Sequence, residues 1–227
     1  MYENKYKNPE PLGSAELNNF LQLIAGLDES LELFAIGGTA MVLKNVKEAT
    51  KDIDLVFLNK EDRKMWKKAA ISLGYKEIEA RLIYGKRDNL PDVVFIGDWR
   101  IDLFLNEIIS FSFLKSAQER IIETHEFSDN LIIKIANPND IFLMKCATDR
   151  QKDLDDGKAI IDKDLVNWDL LIKETLNQIA SGHELAAISL GYFLEKLEKV
   201  GAKVSHKALD ELFNIVENQA KDKRSKL

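Results

Sequence analysis

Ile36-Gly37-Gly38-Thr39, followed after a helix-like segment by Thr50-Lys51-Asp52-Ile53-Asp54-Leu55, is the stretch whose reading decides the fold. A glycine pair ends one apolar run, and two aspartates hold alternate positions in the next. Side chains at i and i+2 of a strand share a face, so Asp52 and Asp54 project together, about 7 Å apart along the strand. Carboxylates held that close repel unless a cation lies between them. Hard oxygen ligands suit magnesium, which binds through one or two carboxylates plus substrate phosphates. Glycine lets backbone N–H groups approach a phosphate closely. The combination points to a metal-dependent enzyme acting on a nucleoside triphosphate.

Each part alone has a plainer reading. Gly37-Gly38 also serves as a tight strand-to-helix turn. Asp52 and Asp54 also fit a solvent-facing edge with Ile53 buried between them. A third acid shifts the balance. Arg100-Ile101-Asp102-Leu103-Phe104 sets one carboxylate in an apolar strand about 50 residues later. A buried carboxylate needs a partner. That partner is either Arg100 or a lysine, or a metal shared with Asp52 and Asp54. If the two strands lie side by side, the three acids converge. One ion would then activate an attacking hydroxyl, and another would grip the triphosphate and stabilise the leaving pyrophosphate.

Around this centre the pattern predicts an α/β unit and then an all-helical one. Ser14 caps a helix over 15–27, with Leu17, Phe20, Leu21 and Ile24 on one face. Residues 31–36 and 52–58 read as buried strands, with a short helix over 39–46 between them. Residues 59–74 form an amphipathic helix. A weaker strand near 75–84 precedes two stronger ones at 93–96 and 100–105, with Gly97-Asp98 as a hairpin signal. Residues 131–135 add an edge strand, and Pro138 opens a helix through Cys146. Strand signals stop near residue 163. Three helical segments follow, over 165–180, 183–200 and 205–219, broken at Gly182 and Gly201. The expected domains are therefore 14–163 and 164–220. The apolar stripe Leu209, Leu212, Phe213 and Val216 reads as core or homodimer packing.

With 227 residues, 45% of them hydrophobic, the chain is long enough for a substantial core. A formal charge of −6 argues against a general polyanion binder, although 32 Lys and Arg leave room for a basic patch. The single cysteine, Cys146, excludes an internal disulfide framework and suits a reducing cytosol. No apolar run approaches the roughly 20 residues that span a bilayer, and the polar N-terminus is no secretory signal, so a cytoplasmic protein is expected. His125, His183 and His206 have no ligand-like spacing. Trp66, Trp99 and Trp168 are dispersed and form no base-stacking platform.

The ordered set Ile36-Gly37-Gly38, Asp52-Ile53-Asp54-Leu55 and Ile101-Asp102-Leu103 resembles the nucleotidyltransferase superfamily of DNA polymerase beta type. Lys145 with Asp149-Arg150-Gln151-Lys152-Asp153-Leu154-Asp155-Asp156 is similar to a downstream motif of AbiEii-like nucleotidyltransferases, which include abortive-infection toxins. The resemblance implies an α+β fold: a mixed β-sheet flanked by helices, then a C-terminal helical bundle. It implies transfer of a nucleotide from an NTP to an RNA, tRNA, protein or small-molecule hydroxyl, with Mg2+ or Mn2+. Asp52, Asp54 and Asp102 would be catalytic and hold the metal. Gly37, Gly38 and Thr39 would cradle phosphates. Lys145, Lys152 and Asp153 would complete the nucleotide pocket, and a cognate antitoxin would be a partner. Relatives often carry Gly-Ser where this chain has Gly38-Thr39, but threonine keeps the hydroxyl. The residues themselves leave plainer roles open. Lys145 could snorkel from the core, and Asp149–Asp156 could be a solvated helix start. A catalytically inactive binding protein of the same fold is the alternative function.

Overall fold

The computed structural model describes residues 11–24, 31–72, 74–96, 99–128, 131–146 and 150–225. The chain divides into two compact units, Met1–Asn137 and Pro138–Leu227. The division falls after Asn137, not after residue 163 as the loss of strand signals suggested. The two helices before 163 pack with helices, as described below.

The first unit runs β1 (Leu12–Gly13), α1 (Ser14–Ile24), β2 (Leu31–Ala35), α2 (Gly37–Leu43), β3 (Ala49–Thr50), β4 (Asp52–Phe57), α3 (Lys60–Ser72) and β5 (Lys76–Ile78). It continues with α4 (Arg81–Tyr84), β6 (Asp92–Ile96), β7 (Trp99–Leu105), β8 (Glu107–Ile108), β9 (Phe111–Ser112), α5 (Lys115–Glu119), β10 (Glu123–Ser128) and β11 (Leu131–Ile135). The main sheet has the order β10-β11-β2-β4-β7-β6-β5, with β8 and β9 attached to β7, while β1 and β3 form a separate pair. The sheet is mixed: β11–β2 and β4–β7 are parallel, and the other main pairs are antiparallel.

Alternation along β4 sorts its two faces. Ile53, Leu55 and Phe57 are buried on one, as are Ile101 and Leu103, the register partners of Ile53 and Leu55 on β7. α3 covers the Phe57 side: Trp66 packs edge-on against Phe57 at 6.3 Å and against Tyr75 at 6.5 Å. Asn59 caps α3, its Oδ1 accepting from the Asp62 N–H at 2.8 Å. The opposite face of β4 carries Asp52 and Asp54.

Two expectations are corrected. Residues 75–84 are not one strand, because β5 stops at Ile78 and Arg81–Tyr84 is a helical turn. Arg81-Leu82-Ile83-Tyr84 lacks the apolar–polar alternation of a half-buried strand, and Leu82 is exposed. Residues 131–135 form an interior strand, since β10 pairs outside them. β10 reads Glu-Thr-His-Glu, polar residues that blunt an edge and hide it from a hydrophobic-pattern reading. The Gly97-Asp98 turn lies outside the described residues.

The second unit contains α6 (Pro138–Cys146), α7 (Gln151–Asp162), α8 (Trp168–Ala180), α9 (Ala186–Lys199) and α10 (His206–Ser225). α6 packs on α7, α8 and α9, and α7 packs on α9. Phe142 anchors this core, edge-on to Phe193 at 5.3 Å and to Trp168 at 6.5 Å. Asn167 caps α8 by accepting from the Leu170 N–H at 3.0 Å, and Gly182 and Gly201, both at positive φ, follow α8 and α9. Within the stripe on α10, Leu212 is buried and Phe213 is exposed. Burial pushes the Cys146 thiol up to about 12, and its S–H donates to the Leu143 carbonyl at 2.8 Å. No helix among the described residues is long and apolar enough to cross a membrane.

Gly157 lies where α7 meets Phe193 and Leu197 of α9. A Cβ there would lie 2.7 Å from Cζ of Phe193. Alanine normally stabilises a helix interior by about 1 kcal/mol over glycine. Here the sign reverses: Gly157→Ala should destabilise the protein by about 1–3 kcal/mol through overpacking, measured by denaturant unfolding. An increase in stability would show that α9 yields without cost.

Candidate active site

Parallel pairing of β4 with β7 sets Asp52 opposite Arg100 and Asp54 opposite Asp102. Partners in a parallel pair share a face, and i, i+2 residues share it too. Asp52, Asp54, Arg100 and Asp102 therefore form one polar rectangle on the sheet. Asp102 is fully buried, Asp52 is nearly so, and Asp54 is half-buried. The structure thus brings together the three acids that the sequence selected.

The glycine pair packs against this rectangle. Gly37 opens α2 at φ +55°, and a Cβ there would collide with Oδ2 of Asp54. A Cβ at Gly38 would collide with Oγ1 of Thr50. Both positions therefore require glycine for close approach to the acid strand. Thr39 is fully buried, and its hydroxyl binds the backbone of β4. Its Oγ1 accepts from the Asp54 N–H at 2.8 Å and faces the Asp52 carbonyl at 3.4 Å. Thr50 Oγ1 donates to the same carbonyl at 3.0 Å. Thr39 and Thr50 thus fix the backbone from which Asp52 and Asp54 project.

Two neighbours complete the cluster. Nη2 of Arg100 donates to Oδ2 of Asp52 and lies 3.1 Å from Oδ2 of Asp102. One guanidinium nitrogen therefore bridges two acids. Tyr84 donates its hydroxyl to the same Oδ2 of Asp102, and its ring centroid lies 5.8 Å from the Arg100 guanidinium carbon. Burial alone would lower the Arg100 pKa, but the charges of Asp102 and Asp52 outweigh it and keep the pKa above its ordinary value. Burial and the Asp102 charge raise Tyr84 well above the usual phenol range, so it stays a donor. Sequence reading had a signal for Arg100, which lies two residues from Asp102 and so on its face. It had none for Tyr84, in a segment expected to be a strand.

Asp54 and Asp102 stand side by side on adjacent strands, and one or two carboxylates together with substrate phosphates are what magnesium takes as ligands. The arrangement is not a closed cage: among the described residues, no group of three or more acids, histidines or cysteines lies close enough to hold a metal.

Lys145, Lys152 and Asp153 belong to the second unit. Lys145 Nζ lies 2.6 Å from Oδ2 of Asp156 and 3.3 Å from Oδ1 of Asp153. Asp153 also accepts from Arg150 Nε at 2.7 Å and Nη2 at 3.1 Å. Lys145, Asp153 and Asp156 are buried, so this part of the acidic run is not a solvated helix start. Lys152 is exposed on the first turn of α7. Asp149 lies outside the described residues.

Thr39→Val should remove the hydroxyl that β4 uses and leave the Asp54 N–H without its acceptor. The expected loss is about 1–3 kcal/mol, read from denaturant unfolding, with Thr39→Ser retaining most of the stability. Equal losses in both variants would trace the effect to packing.

Comparison with known proteins places these residues in context. No curated protein sequence matches the chain. Two solved structures are similar to it over most of its length. The crystal structure of ANT(2")-Ia in complex with adenylyl-2"-tobramycin shares 17% identity over 81% of this chain and 99% of that one, with a TM-score of 0.46. The solution structure of the antibiotic-resistance factor ANT(2'')-Ia shares 16% identity over 83% and 96%, with a TM-score of 0.46. The model of a family described as "Nucleotidyltransferase of unknown function (DUF6036)" matches residues 15–187, well over half of the chain. That span contains the glycine pair and all three acids, and the chain belongs to this nucleotidyltransferase family.

Proposed function

We propose that this protein transfers a nucleoside monophosphate from an NTP to a hydroxyl acceptor, with Asp52, Asp54 and Asp102 as its catalytic and metal-binding acids. The observation that carries this reading is the register of β4 on β7, which sets Asp54 beside Asp102 on the face where Gly37 closes. A bond forms from the acceptor oxygen to the α-phosphorus, the bond to the bridging oxygen breaks, and pyrophosphate leaves. A magnesium or manganese ion held by these acids together with the triphosphate would neutralise phosphate charge and acidify the acceptor hydroxyl.

The remaining roles fall to the chain. Gly37 and Gly38 leave the strand-to-helix turn without side chains, so a triphosphate can lie against the backbone. Thr39, read from the sequence as a phosphate ligand, acts by holding β4 in place. Lys145 and Asp153 join α6 to α7 within the second unit, where the lysine charge is engaged by carboxylates. Lys152, with its exposed side chain, is the candidate phosphate contact on α7. The acceptor is an RNA end, a protein or a small molecule. A toxin role with a cognate antitoxin belongs to the protein-or-RNA case, and expression would then slow growth.

One observation favours a second reading, a nucleotide- or partner-binding protein without turnover: Arg100 already pairs with both Asp52 and Asp102. Labelled NTPs separate the two. With α-labelled NTP, Mg2+ or Mn2+ and total cellular RNA, label should pass to RNA, to protein or to an added small hydroxyl compound. γ-Label should leave in pyrophosphate. Asp54→Asn and Asp102→Asn should each lower transfer by more than about 100-fold. NTP binding without transfer in any acceptor mixture would favour the binding protein.

A further inference from the structure

The three acids and Arg100 pose a charge problem that the transfer reaction alone does not answer. Carboxylates on adjacent strands, one of them fully buried, are costly without compensation. The described residues compensate them with a guanidinium. Arg100 is the register partner of Asp52 and lies two residues from Asp102, so the backbone alone commits it to the acid face. Its Nη2 meets one oxygen of each. The Tyr84 ring stands beside the guanidinium, while the Tyr84 hydroxyl grips the same Asp102 oxygen.

The fit is incomplete on the arginine's own terms. Arg100 is buried, and its Nε–H makes no hydrogen bond among the described residues. A buried donor left without an acceptor weakens this arrangement. A guanidinium also brings a single positive charge and is weakly hydrated, so it leaves water at little cost but neutralises only half as much charge as a divalent ion.

Resting on the reading of these acids as a metal site, we propose that Arg100 is the resident counter-cation of the acid rectangle: it bridges Asp52 and Asp102 until a divalent ion displaces it. Arg100 is then a positioning residue, and metal loading is an exchange of cations. The side chain that keeps the acids together in the metal-free protein also competes with the metal for them.

The test is Mn2+ binding to the full chain without nucleotide, followed through the electron paramagnetic resonance signal of free Mn2+, with the thermal midpoint recorded alongside. Wild type should bind weakly. Arg100→Gln should bind at least about tenfold more tightly, a change of about 1.4 kcal/mol, and Mn2+ should raise its midpoint more than that of wild type. Equal or weaker binding by folded Arg100→Gln, with wild type still binding, would overturn the exchange and leave the metal site standing. No binding by either protein would overturn the metal reading and this inference with it. A measurement on the unaltered sequence guards against a misfolded variant. With 15N-arginine labelling, the Nε–H signal lost in Arg100→Lys is assigned to Arg100 and followed as Mg2+ is added. It should move in step with Mg2+ binding, and a signal that stays fixed while Mg2+ saturates the protein would overturn the proposal.

Discussion

The register between β4 and β7 is the constraint on which the rest of the site depends. A parallel pair presents partners on one face, so a single choice of register sets Asp52 against Arg100 and Asp54 against Asp102. The same choice sends Ile53, Leu55, Ile101 and Leu103 to the opposite face, where they are fully buried. A slip of one residue would exchange the two sets, moving carboxylates into the apolar layer and leucines out of it. The hydrophobic layer beneath α3 therefore fixes the chemistry above it. Trp66 packs edge-on against Phe57 and Tyr75 in that apolar layer.

The second constraint is steric. Gly37 and Gly38 are needed for reasons that involve no ligand, because any side chain there would strike Asp54 or Thr50. The bland reading of the pair as a turn and the functional reading as a phosphate approach are thus not alternatives. Close packing of the turn on the acid strand requires glycine whether or not a phosphate approaches the same backbone. Thr39 shows the same economy. Its hydroxyl accepts from the Asp54 N–H and faces the Asp52 carbonyl, tying the start of α2 to the backbone of the acid strand.

The second unit uses charge differently. Lys145, Asp156, Asp153 and Arg150 form a chain of ion pairs, three of its members buried between α6 and α7. A buried pair of this kind adds little net stability, yet removing one member leaves an uncompensated charge. It ties two short helices in one register while Phe142, Phe193 and Trp168 supply the apolar contacts. A lysine among apolar neighbours was open to two sequence readings, snorkelling or phosphate binding. The fold gives it a third surrounding, two carboxylates from the next helix.

Some of this was written in the sequence. Two aspartates at i and i+2 share a face in any strand, and a lone acid in an apolar strand requires a partner. The glycine pair, the helix breaks at Gly182 and Gly201 and the central strands followed from patterns just as local. The hidden edge strand β10 did not, because polar residues carry no burial signal. Neither did the helical turn that delivers Tyr84, nor the division of the chain after Asn137. The partners of each charge were also beyond sequence reading. Whether Asp102 meets a metal, a lysine or Arg100, and whether Lys145 meets solvent or Asp156, depends on segments far apart in the chain. Local periodicity is a property of neighbouring residues, so the sequence by itself determined which side chains share a face. Charge compensation acts through space, so only the tertiary structure decided which side chains face each other.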